Sequence, residues 1–235
     1  MKSEIVQIAG LEVEYAFSKG KEETVVLVNG SGGPLISWSG IFDALSTRYN
    51  VLAYNRPGIG KSSRAQSAQT ATQMAHDLEK LMEFLSIHGS VTLVGHSLGG
   101  LVVLQFCIDF PHRTKGIVLL EPSTVWDIMS QKSLPNDKRY KNSELNHVRD
   151  SVRKLEDLSL LPKVPTLIGI GMKSSLLYWI FRPRFEQRRS NLRRLSNQIA
   201  DSEMVGFTKS GHFPQFSESK KVTEMIAAVV QKTSI

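Results

Sequence analysis

The chain is poor in cysteine: Cys107 is the only one in 235 residues, so an intrachain disulfide is excluded. Its neighbours Val102, Val103, Leu104, Phe106 and Ile108 predict a buried, inert thiol. No apolar run approaches the ~18 residues of a membrane span. The first residues, Met1-Lys2-Ser3-Glu4-Ile5, lack a long apolar segment and a small-residue cleavage site, which speaks against a secretory signal. Cytoplasm is the expected location. No zinc-ligand spacing, Walker loop or RNA-binding signature is present, and no repeat or low-complexity tract. Neither a metal, a cofactor nor a nucleic-acid partner is expected.

What is present suits one α/β domain over residues 1–235. Hydrophobic residues make up 41% and charged residues 22%, enough for a substantial core. The net charge is +7, and much of the excess comes from Arg182, Arg184, Arg188, Arg189, Arg193 and Arg194. The spacing predicts a solvated helix face, with Phe185, Leu192 and Leu195 turned inward; a patch for an anionic partner is the alternative.

Residues 4–18 alternate apolar and polar about Gly10 and predict an antiparallel hairpin. Short apolar runs at 24–28, 51–54, 91–95, 116–120 and 165–170 predict buried strands, with a further strand near 203–208. Helical spacing is expected at 37–47, 71–88 with Gly89 as C-cap, 98–110, 184–199 and 217–232. Residues 122–162 are polar and irregular, with one helical segment near 143–156, and read as a small cap insertion. Alternating strands and helices predict a three-layer α/β fold: a mostly parallel eight-stranded sheet with helices on both faces. Chemistry in such sheets gathers beyond the carboxyl ends of the strands.

Ser97 stands there, in Gly95-His96-Ser97-Leu98-Gly99-Gly100, directly between a buried strand and an apolar helix. The turn must be sharp, and the two outer glycines remove side chains where strand and helix approach. The helix N-terminus would place the Leu98 amide beside the hydroxyl, where an oxyanion develops.

This segment resembles the nucleophile elbow of the α/β-hydrolase fold superfamily, as in its serine esterases and lipases. Val28-Asn-Gly-Ser-Gly-Gly33 is similar to the superfamily's oxyanion loop, with Asn29 in place of the usual histidine. Tyr54-Asn-Arg-Pro-Gly-Ile-Gly-Lys-Ser62 resembles the segment after the next strand, with Asn55 for aspartate. Ser210-Gly-His-Phe213 resembles the loop bearing the catalytic histidine. The resemblance implies that His212 is the base, and that the amides of Ser31 and Leu98 hold the oxyanion. Serine at the elbow, where dehalogenases and epoxide hydrolases of the superfamily carry aspartate, implies acyl transfer.

The superfamily usually places the acid in the segment that here reads Gly171-Met-Lys-Ser-Ser175, which has no carboxylate. Three explanations stand open. Glu121, at the end of the 116–120 strand, supplies the acid; Asp127 or Asp201 reaches in from a loop; or no acid exists, and the protein is a weak enzyme or a small-molecule receptor on the same fold. Glu121 is favoured, since an unpaired charge at the end of a buried strand is costly. The expected substrate is a small carboxylic ester, thioester or lactone with an apolar acyl part. Residues 175–181, Trp38 and Trp126 are candidates for the acyl pocket. Docking of 175–181 on a membrane surface beside the arginines is the alternative.

Overall fold

The protein is described from a computed structural model. It describes residues 1–131, 137–138, 140–152, 155, 157–173 and 178–233; at 178–184 it describes the backbone alone. Residues 175–177 and the side chains of 178–184 therefore lie outside what is described, and with them the pocket and membrane-docking readings of the apolar stretch at 175–181.

Eight strands form one sheet: β1 (Glu4–Ile8), β2 (Leu11–Ser18), β3 (Thr24–Val28), β4 (Asn50–Tyr54), β5 (Val91–His96), β6 (Thr114–Leu120), β7 (Thr166–Gly171) and β8 (Ser202–Phe207). Their order is β1-β2-β4-β3-β5-β6-β7-β8. β2 pairs antiparallel with β1 and β4, and every pair from β4 to β8 is parallel. The β1–β2 hairpin turns through Ala9 and Gly10, both at positive φ. All residues of β3, β4 and β5 are buried, as their unbroken apolar runs require of strands covered on both faces.

The helices are α1 (Ser39–Ser46), α2 (Ala71–Phe84), α3 (Leu98–Asp109), α4 (Val125–Met129), α5 (Val148–Val152), α6 (Tyr178–Gln198), α7 (Pro214–Ser217) and α8 (Ser219–Lys232). On one face, α1 and α8 bury Trp38, Ile41, Leu45, Ile226 and Val229 against Val25, Leu27 and Val118. On the other, α2 and α3 bury Met74, Leu78, Leu101 and Phe106 against Val26, Leu52 and Leu93. Helix α3 is buried on all sides from Leu98 to Cys107, which is why its sequence lacks a polar stripe. Burial pushes the Cys107 thiol up to about 12, so it stays protonated.

Helix α2 stops at Phe84, not near residue 88; Ser86 takes the left-handed conformation expected of Gly89. Described residues of the 122–162 segment pack on the α2 face. Val148, Val152, Leu155 and Leu158 join its core, and the Ala71 amide donates to Ser151 Oγ at 2.8 Å. The helix expected near 143–156 is a 3₁₀ turn at Glu144–His147 continued by the short α5. Among the described residues no helix is long and apolar enough to cross a membrane.

Chain order switches direction between β3 and β5: from β3 the chain moves outward to β4, then returns to place β5 on the other side. The loops leaving such a pair diverge and open a crevice at their carboxyl ends.

Candidate active site

Ser97 sits at that crevice, between the last residue of β5 and the first of α3, with φ 52° and ψ −118°. A serine avoids this region unless its surroundings enforce it. They do: the Ser97 amide donates to Leu120 O at 3.1 Å, and Ser97 O accepts from the Gly100 and Ser123 amides. A Cβ on Gly95 would lie 2.6 Å from Gly99 O, and one on Gly99 would lie 2.4 Å from Val28 O and Asn29 O. Strand, helix and the loop after β3 therefore meet backbone to backbone, and only glycine fits.

The loop after β8 carries His212 to Ser97. His212 Nε2 is 3.1 Å from Ser97 Oγ, and Nδ1 is 3.4 Å from Glu121 Oε2. The hydroxyl, imidazole and carboxylate expected from the sequence are thus brought into one line. To get there, the loop crosses the end of β7. A Cβ on Gly171 would be 2.1 Å from Gly211 O, and the Lys173 amide donates to Ser210 O. The position that usually leads to the acid is covered by the histidine loop, and the carboxylate stands one strand nearer Ser97, at the end of β6.

Glu121 is 5% exposed and has φ 45°, a second strained residue at this edge. Its amide donates to Gly169 O at 2.9 Å, and its Oε1 accepts from the Gly171 amide at 2.6 Å. Burial by itself would raise its pKa; the His212 hydrogen bond and the Arg188 charge outweigh that and hold the carboxyl below its ordinary value. The other two candidate acids are elsewhere. Asp127 is the N3 partner in the capping box of α4, bonded to Thr124, and accepts from Asn191. Asp201 is exposed at the amino end of β8, where its carbonyl accepts from the Thr166 amide at the opposite edge of the sheet.

The glycine loop lies against the nucleophile: a Cβ on Gly30 would come 3.2 Å from Ser97 Cβ. Ser31 follows, exposed, and Leu98 opens α3. Among the described residues neither backbone amide donates to a protein acceptor.

Residues 23–219 match the family model of the alpha/beta hydrolase fold. The chain belongs to the α/β-hydrolase fold family. It is 35% identical over 119 residues to a dihydrolipoyllysine-residue acetyltransferase component of an acetoin cleaving system from Cupriavidus necator, covering 51% of this chain and 32% of that protein. It is 27% identical over 168 residues to a (lyso)-N-acylphosphatidylethanolamine lipase from Bos taurus, covering 70% of this chain and 46% of the lipase. The chain thus spans less than half the length of these curated relatives. A thermophilic esterase from Thermogutta terrifontis superposes with a TM-score of 0.72 at 18% identity, covering 99% of both chains.

This α/β hydrolase builds its site with four side chains that the sequence reading did not assign to it. His96 supports the histidine loop: Nε2 donates to His212 O at 2.7 Å, and its ring packs on Phe213. Burial lowers its pKa to about 4, so it is a neutral strut. Arg188 belongs to the expected solvated face but turns inward. It donates from Nε to Glu121 Oε2 at 2.8 Å, from Nη2 to Glu121 O at 2.8 Å, and from Nη1 to Asp127 Oδ2 at 3.4 Å. Leu192 and Leu195 are buried as expected, while Phe185 is partly exposed.

Arg56 and Glu144 form a buried ion pair at 2.7 Å. Arg56 also donates to Asn29 O and Gly30 O, while Glu144 accepts from the Gly32 amide at 2.8 Å. The glycine loop is pinned from both sides. Burial opposes the Glu144 charge, but the Arg56 charge and hydrogen bonds prevail and its pKa falls. Glu144 lies in the polar insertion, more than a hundred residues from Gly32, and no local pattern marks it.

Asn29 and Asn55 depart from the family residues but are built in. Asn29 Oδ1 accepts from Ser37 Oγ, and Asn55 bridges the Leu35 amide and Glu14. Trp38 is 1% exposed within the α1–α8 core, away from the acyl role considered for it. Trp126 lies under the Arg194 guanidinium, 4.2 Å from its ring centroid.

Proposed function

We propose that the protein is a serine hydrolase that cleaves a carboxylic ester, thioester or lactone with an apolar acyl part through an acyl-enzyme on Ser97. The carrying observation is the continuous relay Ser97 Oγ–His212 Nε2 at 3.1 Å and His212 Nδ1–Glu121 Oε2 at 3.4 Å. Ser97 Oγ attacks the carbonyl carbon as His212 Nε2 takes its proton. Glu121 accepts the Nδ1 hydrogen, fixes the tautomer and stabilises the imidazolium. The amides of Ser31 and Leu98 receive the oxyanion, with the Leu98 amide at the positive end of α3. Collapse expels the alcohol or thiol, which leaves with the proton from Nε2. Water, deprotonated by the same nitrogen, then attacks the acyl carbon and releases the acid and Ser97.

The half-exposed ring of Phe213, 5.0 Å from His212, and that of Phe216, 6.0 Å from Phe213, offer an apolar wall for the substrate. The receptor reading drew on the missing carboxylate after β7; Glu121 within reach of His212 supports the hydrolase instead. A fluorophosphonate probe tests the reading. Labelling mapped to Ser97, absent in Ser97→Ala, with hydrolysis across a panel of acyl esters, is expected. A correctly folded protein that neither reacts with the probe nor turns over any ester would refute it.

A further inference from the structure

Beside the relay lies a cavity of about 320 Å³ lined by Glu121, Lys173, Phe185, Arg188, Arg189 and His212, with Ile170, Gly171 and Gly211 completing it. Its wall carries three cations against one carboxylate. Arg188 spends its charge on Glu121 and Asp127. Lys173 and Arg189 are differently placed. No described side chain pairs with the Lys173 ammonium, and Arg189 has a long 3.7 Å contact to the half-exposed Glu186 carboxylate. Two cations thus face a chamber with an aromatic and an aliphatic wall, next to the imidazole that protonates the departing oxygen. The alcohol portion of an ester must pass that imidazole, because its oxygen takes the proton there.

Building on the hydrolase reading, we propose that this cavity receives the alcohol portion of the substrate and that this portion carries an anionic group, a carboxylate or a phosphate, read by Lys173 and Arg189. A field of one sign at the mouth of a partly enclosed site raises the local concentration of an oppositely charged substrate and orients it. Neutral esters remain substrates but lack this anchor.

Two matched pairs test it. The carboxylate pair is 4-(butyryloxy)butanoate against butyl butyrate; the phosphate pair is 1-butyrylglycerol 3-phosphate against 1-butyrylglycerol. Acid release gives kcat/KM for each. The expected result is an anionic-to-neutral ratio on the order of ten for at least one pair, given one exposed and one partly exposed cation. The ratio should collapse toward one in the Lys173→Gln/Arg189→Gln variant, and the pair that responds identifies the anion. The preference should also shrink as salt rises from 20 to 500 mM while the neutral rate holds, a reading on the unaltered protein that does not depend on the variant folding. Neutral esters turned over at least as well as both anionic partners would overturn the proposal and leave the hydrolase intact. No turnover of any ester, with Ser97 unlabelled by the fluorophosphonate, would remove the hydrolase reading and this one with it.

Discussion

Ser97 and Glu121 both hold positive φ, at 52° and 45°, where a side chain costs on the order of 1–3 kcal/mol each. The strain aims their side chains at His212 from two neighbouring strand ends. Glu121→Gln keeps the shape but loses the charge that supports the imidazolium. A fall in kcat of about a hundredfold to ten-thousandfold is expected, with an unaltered circular dichroism spectrum. An unchanged rate would take Glu121 out of the mechanism. Gly99→Ala tests the elbow itself. The added carbon would lie 2.4 Å from two carbonyl oxygens of the adjacent loop, so a stability loss of at least ~1–3 kcal/mol is expected in urea melts. Ser97 was legible in its own strand-turn-helix window, whereas His212 was implied by the family resemblance and Glu121 was favoured among open alternatives. His96 was not legible: its role depends on the carbonyl of a residue 116 positions away.

Among elements, α6 and the insertion after β6 do the most to position the site. Arg188 of α6 locks the strained Glu121 by its carboxylate and its carbonyl together. Its spacing among other arginines suits a solvated face, and only the packing of α6 beside α4 and β7 turns this one inward. Arg188→Met frees Glu121 to shift. A loss in kcat of up to about a hundredfold is expected, the order seen when a catalytic group moves by ~1 Å. Arg188→Lys, which keeps a cation beside Glu121, should recover part of that loss. An unchanged kcat in Arg188→Met would leave Arg188 no part in positioning Glu121. Glu144→Gln leaves Arg56 buried without a counter-charge and releases the glycine loop. A loss on the order of 3–5 kcal/mol in urea melts is expected.

At the scale of the whole molecule, the site is a meeting of four loops over one sheet edge, and its ionisable groups link stability to pH. His96 has a folded pKa of about 4 against an ordinary 6.5, so the unfolded chain binds its proton first. Its contribution is complete above pH 6.5 and lost as pH falls toward 4, on the order of 3 kcal/mol at about 1.4 kcal/mol per unit. Glu121 and Glu144 are held below 4.5, so their contribution is present above that value and is lost as pH falls through their lowered pKa. Thermal melts should therefore show a decline in Tm beginning below pH 6.5 and steepening below 4.5. His96→Gln, which keeps a donor but cannot be protonated, should remove the first stage; a persisting decline there would exclude His96 as its source. The sequence by itself determined the parallel sheet and the elbow, because buried strands and glycine turns are written in short windows. Tertiary structure alone decided which carboxylate faces His212, which arginine turns inward and which glutamate pins the glycine loop. The first of these depends on the chain crossing itself at Gly171, where the histidine loop overlies β7 and leaves the end of β6 as the place from which the carboxylate reaches His212.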